Sequence, residues 1–238
     1  MLFRSEEALQ ILAQIEKAFS AAAATQPAPA ANGAAAPATA PAQVSLPIDL
    51  ELLRLVLLQH ANQTPAFDAA LQRITAGIRQ DIAAGHPQAR VSLAWLLVGL
   101  DRQGAEAGEL MDALNRDASP EAQQVAREAM AQRVRGWLAL RAGQMAQARE
   151  LLQPLAQTDP FASLGMALSR TEASEKDARE QALQQTIRQA PVSLAALLAS
   201  RALLLGNDQP QATEAGRALS VAMDRWQGWM TSPGQRPM

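Results

Sequence analysis

From Pro47 onward, apolar residues recur at intervals of three and four, and the pattern persists to about Met230. That interval matches the 3.6-residue turn of an α-helix and not the alternation of a strand. Proline and glycine punctuate it. The stretches between them predict helices over 47–62, 65–84, 88–103, 106–117, 120–142, 145–157, 160–172, 176–189, 192–205 and 209–230. Three starts place a capping side chain directly before a proline: Thr64-Pro65, Ser119-Pro120 and Asp159-Pro160. The capping oxygen accepts from first-turn amides, and proline at the first helical position lacks a donor that would have no partner there. Gly85, Gly104, Gly143 and Gly206 lie near predicted ends or turns, where a left-handed residue can close a helix. Turns of a few residues between such helices imply antiparallel neighbours.

Upstream the pattern changes twice. Ser5, Glu6 and Glu7 open a short amphipathic helix, with Leu9, Leu12, Ile15 and Phe19 on one stripe, over residues 1–24. Residues 25–46 carry Pro27, Pro29, Pro37 and Pro41 among Ala, Thr, Gln and Gly33. Nothing bulky is available there to bury, so a disordered Ala/Pro linker is expected. A helical domain over 47–230 and a flexible tail over 231–238, with Pro233 and Pro237, complete the expected organisation. Met1-Leu2-Phe3-Arg4-Ser5 corresponds to the translated end of a common sequencing adapter. Two readings stay open: a natural start, or a fragment that begins inside a larger protein.

Composition sharpens the fold class. Of the 238 residues, 48% are hydrophobic but only 3% aromatic, with no tyrosine. The apolar content is therefore mainly alanine and leucine, strong helix formers with little β preference. The expectation is all-α. A net charge of −2 gives no broad attraction to nucleic acid or an anionic membrane. The absence of cysteine excludes disulfides, thiolate catalysis and cysteine-based metal sites. No apolar run is long enough to cross a membrane. The alanine-rich, arginine-over-lysine composition points to a GC-rich bacterial source, and cytoplasm and periplasm both remain open as compartments.

Catalytic signals are missing. His60 and His86 each sit near a predicted helix boundary without a second histidine at helical spacing, so they read as polar helix-end residues rather than metal ligands. No phosphate-cradling glycine loop or nucleophile motif occurs. The acidic pairs Glu106/Glu109, Glu121/Glu128 and Glu172/Glu175 read as solvated faces. The expectation is a non-enzymatic protein without a cofactor.

The most informative stretch runs from Gly136 through Gly143, Ala148, Leu152 and Leu155 to Pro160. Small residues at a helix crossing let two helices approach closely, and the proline stops the second helix. At these spacings the stretch resembles a tetratricopeptide repeat. Fainter echoes follow: Gly165 lies 29 residues after Gly136, Pro191 lies 31 after Pro160, and Ala199 lies 34 after Gly165, with Ala178 and Ala182 in the second-helix small-residue zone. Upstream, Leu97, Gly104 and Pro120 suggest a more degenerate unit. The large first-helix aromatic and the tyrosine usual in that family are absent, and Arg135 stands where leucine is usual. The resemblance implies a right-handed α-solenoid of antiparallel helix pairs, each burying what a single pair could not.

It also implies a concave groove. With Gly136 as the packing residue, Arg133, Trp137 and Arg141 form a stripe at i, i+4 and i+8 facing that groove, with Met166 and Arg170 in matching places on the next unit. Guanidinium groups beside a tryptophan suit a peptide bearing carboxylates. The expected function is a protein–protein interaction scaffold that binds a peptide or helix. The alternative is a structural or oligomerising helical domain of a larger bacterial envelope or secretion protein. In that reading Trp137 packs internally and an apolar convex patch is exposed. Trp226 and Trp229 are expected to cover the last apolar face of the stack, with a docking surface for a downstream domain as the alternative.

Overall fold

A computed structural model describes residues 47–60, 63–100, 104–190 and 193–205. The expected helices over 1–24 and 209–230, the 25–46 linker, the tail, and Trp226 and Trp229 lie outside the described residues. Among the described residues the chain is all-α, with no strand. It divides into two compact units, residues 1–74 and 75–238.

The first unit holds α1 (Ile48–His60) and the start of α2 (Thr64–Ala83), which runs across the boundary. Leu52 and Leu55 are fully buried, and Leu53, Leu57 and Leu58 nearly so. The Gln63 amide donates to Leu58 O at 3.0 Å. Thr64 is the first residue of α2 rather than its cap, and the Phe67 amide donates instead to Gln63 O at 2.9 Å. Phe67 and Ala70 are the buried residues of α2. An Arg73–Glu51 ion pair at 3.8 Å ties α2 to α1.

The second unit continues with α3 (Pro87–Gly99), α4 (Gly104–Arg116), α5 (Pro120–Arg127), α6 (Ala129–Arg141), α7 (Met145–Leu152), α8 (Pro160–Leu168), α9 (Lys176–Gln189) and α10 (Leu194–Leu205). Sequential partners pack together: α3 with α4, α6 with α7, α8 with α9, and α9 with α10. The leading helices α3, α6 and α8 also touch in turn, α3 with α6 and α6 with α8, and α8 touches α10 as well. Each leading helix rests on the second helix of the preceding pair as well, α6 on α4 and α8 on α7. On α4 the buried residues Ala107, Met111 and Leu114 fall at i, i+4 and i+7, one apolar stripe against its neighbours. By contrast α3 is buried almost throughout, Leu93 to Val98 without interruption, because it is packed from several sides.

Two of the expected caps form. Ser119 Oγ accepts from the Ala122 amide at 3.2 Å. Asp159 Oδ1 accepts from the Phe161 and Ala162 amides at 2.8 and 3.2 Å. Gly85 and Gly143 adopt φ of +89° and +74°, as a left-handed closing residue requires. Gly104 instead opens α4.

Three helices differ from their expected extents. The stretch expected as one helix over 120–142 breaks at Glu128, whose backbone is extended at φ −65° and ψ 153°. The helix expected to reach 157 ends at Leu152 and tightens into a 3₁₀ turn, Gln153–Leu155; Pro154 has no amide to continue the α-helical bonding. The helix expected to reach 172 stops at Leu168, where the Ser169 hydroxyl donates to Met166 O at 2.8 Å. On α9 the interior face is Glu180, Leu183, Thr186 and Ile187, whereas Ala178 is exposed and Ala182 half-buried. A buried hydroxyl pair links that helix to α8, Thr186 Oγ1 donating to Ser163 Oγ at 2.9 Å.

Candidate functional site

The expected recognition stripe lies where α6 and α8 meet, and its chemistry begins with two glycines. Leu152 of α7 is fully buried between Gly136 of α6 and Gly165 of α8. A methyl group on Gly136 would come within 2.5 Å of Leu152 Cγ and Cδ2; one on Gly165 would come within 2.5 Å of Cδ1. The leucine therefore fills a slot that only glycine leaves open on both walls. A close approach occurs at Gly136, made by Leu152, and Ala148 of α7 is fully buried.

Beside this slot is an aromatic cluster around Trp95 of α3. Its ring meets Phe161 edge-on at a centroid distance of 5.0 Å and Trp137 at 6.1 Å, the tilted arrangements that ring quadrupoles favour. Arg133 lies among them, its guanidinium carbon 4.2 Å from the Trp95 ring centroid and 5.1 Å from that of Phe161. Arg133 Nη1 also donates to Asp159 Oδ2 at 3.2 Å. Asp159 thus caps α8 through one oxygen and neutralises a buried cation of α6 through the other. Trp137 Nε1 donates to Phe161 O at 3.1 Å, which satisfies the ring N–H inside the unit.

The five expected groove residues consequently fall into two sets. Arg133 is buried and bound to a carboxylate of its own chain, and Trp137 is half-buried and bonded to α8. Both join the packing of α3, α6 and α8. Arg141, the last residue of α6, is exposed. Met166 and Arg170 are half-buried, and Arg170 Nη1 donates to Ala178 O at 3.4 Å. Of the stripe, Arg141 is thus the exposed member, and Trp137, Met166 and Arg170 are half-buried.

Trp95 was not legible as part of one cluster with Asp159 and Phe161, because it comes from α3 whereas they stand together at the start of α8. A faint signal did exist. Arg90 pairs with Asp117 at 2.8 Å across 27 residues, as Arg133 pairs with Asp159 across 26. In each case an arginine of a leading helix reaches an aspartate at the next cap-proline start: Asp117 just ahead of Ser119-Pro120, and Asp159, itself the cap, before Pro160. Arg90 and the Ser119 amide and hydroxyl together hold the Asp117 carboxyl down at about 2. A third bracket, Arg149, donates to Ser169 Oγ at 3.1 Å, Ser169 O at 2.7 Å and Glu175 Oε2 at 2.8 Å. It pins the connection from α8 to α9.

His86 sits at the cap position of α3 without a side-chain cap bond, and His60 is the last residue of α1. Among the described residues no group of three or more His, Cys, Asp or Glu side chains is placed to hold a metal ion. No helix among them is long and apolar enough to cross a membrane. No family model, curated protein or solved structure matches the chain.

Proposed function

We propose that the second unit is a degenerate tetratricopeptide-like stack, a right-handed α-solenoid, and that it acts as a non-enzymatic scaffold binding an acidic peptide or helix. The observation that carries this reading is Leu152 held between Gly136 and Gly165. It joins two consecutive helix pairs through small-residue contacts of the kind the resemblance implies. The order of packing, in which α6 and α8 each rest on both members of the preceding pair, supports it. In this reading Arg141, which is exposed, and the half-buried Arg170 and Met166 supply the cationic and apolar groups for a peptide bearing carboxylates.

A second reading is favoured by a specific observation. Arg133 and Trp137 direct their polar atoms to Asp159 and Phe161 of the same chain, as in a structural or oligomerising helical domain. Binding to synthetic peptide arrays separates the two. Peptides rich in Asp and Glu should be retained over their Lys-substituted counterparts. Arg141→Glu and Arg170→Glu, both outside the aromatic cluster, should each weaken that binding by roughly tenfold. Equal retention of acidic and basic peptides, or no effect of either substitution, would eliminate the groove and leave the structural domain.

A further inference from the structure

The break at Glu128 has no local cause in the sequence. Between Glu121 and Arg135 the chain contains only Ala, Gln, Val, Arg, Glu and Met, with neither glycine nor proline. Such residues favour an unbroken helix. Interior breaks normally follow from proline, glycine or an inserted group. Here Glu128 serves as the end of α5 and the start of α6, yet its side chain makes no capping bond.

The carbonyls freed by the break are taken by side chains of α6. In a continuous helix Ala126 O would accept from the Met130 amide and Arg127 O from the Ala131 amide. Instead Arg135 Nη1 donates to Ala126 O at 2.7 Å, and Gln132 Nε2 donates to Arg127 O at 3.0 Å. The second arm of Arg135 reaches Asn115 Oδ1 on α4. Ala122 of α5 is fully buried, and α5 packs on α3, α4 and α6. Tertiary contacts thus hold a bend that local preference opposes.

We propose that residues 120–141 are a two-state element: a bent form with α5 folded onto α3 and α4, and a continuous helix that lifts α5 and uncovers that face, with Arg135 as the latch of the bent form. Straightening exchanges the Arg135 and Gln132 side-chain donors for the Met130 and Ala131 amides on the same two carbonyls. The device is independent of any groove ligand.

Residue-resolved amide hydrogen exchange on the full chain tests it. Glu128 is exposed, so replacing it leaves the core alone. Glu128→Ala favours the continuous helix, and Glu128→Ser supplies the missing cap and favours the bend. Arg135→Met removes the latch while keeping an apolar stem. Relative to Glu128→Ser, the Met130 and Ala131 amides should exchange about tenfold more slowly in Glu128→Ala and in Arg135→Met, because they gain helical partners. If Arg135→Met instead lowers protection throughout the unit, Glu128→Ala decides alone. Unchanged or faster exchange at both amides in Glu128→Ala would overturn the proposal.

Discussion

Adding one methyl group at Gly136 should destabilise the second unit, and the size and sign of the effect should depend on Leu152. The new Cβ would lie 2.5 Å from Leu152 Cγ and 2.5 Å from Cδ2. Rotation of the terminal methyls cannot relieve the first overlap, because Cγ is fixed to Cβ. Leu152 must then move as a whole toward Gly165, where the room is small: a Cβ added at Gly165 would itself come within 2.5 Å of Cδ1. Overpacking of this kind costs up to about 3 kcal/mol. Replacing a mid-helix glycine with alanine returns about 1 kcal/mol through backbone entropy. The net expectation for Gly136→Ala is a loss of about 2 kcal/mol. With Leu152→Ala already in place, the clash is gone and only the helix-propensity gain remains, so Gly136→Ala should then stabilise by about 1 kcal/mol. The cycle predicts a coupling of about 3 kcal/mol. Urea unfolding followed by far-UV circular dichroism on the four proteins measures it. A Gly136→Ala protein as stable as its parent, or equal effects in both backgrounds, would refute the slot.

The remaining predictions concern charges. Arg133→Ala leaves Asp159 in a largely buried site and removes the cation from the Trp95 and Phe161 faces, so it should lower stability by about 3 kcal/mol in the same urea assay. Asp159→Asn keeps an N-capping oxygen and should cost less than Asp159→Ala, which loses cap and ion pair together; the reverse order would contradict the double role of Asp159. The Asp117 carboxyl is held at about 2 against an ordinary 3.8. A carboxyl depressed on folding adds stability that is complete above the ordinary value and disappears as pH falls from there through about 2. An NMR titration should show Asp117 moving back toward 3.8 in Arg90→Met, and an unmoved midpoint would remove Arg90 as the chief cause.

Much of the helical framework was legible because its signals are local. Ser119-Pro120 and Asp159-Pro160 are capping chemistry within a few residues, and Gly85 and Gly143 meet a backbone requirement no other residue meets cheaply. The tight position at Gly136 was legible from its spacing to Ala148 and Leu152. The recognition stripe was less so. Period alone places Arg133, Trp137 and Arg141 on one side of α6, but it does not say what stands opposite.

What the chain determined by itself was therefore its helical content, most helix starts, and the glycines where neighbours could nest. Tertiary structure alone decided that Arg133 faces Trp95 and Asp159 instead of solvent, and that a stretch with every local reason to stay straight bends at Glu128. The physical reason is range. Caps, turns and period act over a few residues, whereas a buried cation or a broken helix is settled by groups that reach it from other helices, 26 residues away at Asp159 for Arg133 and 20 at Asn115 for Arg135.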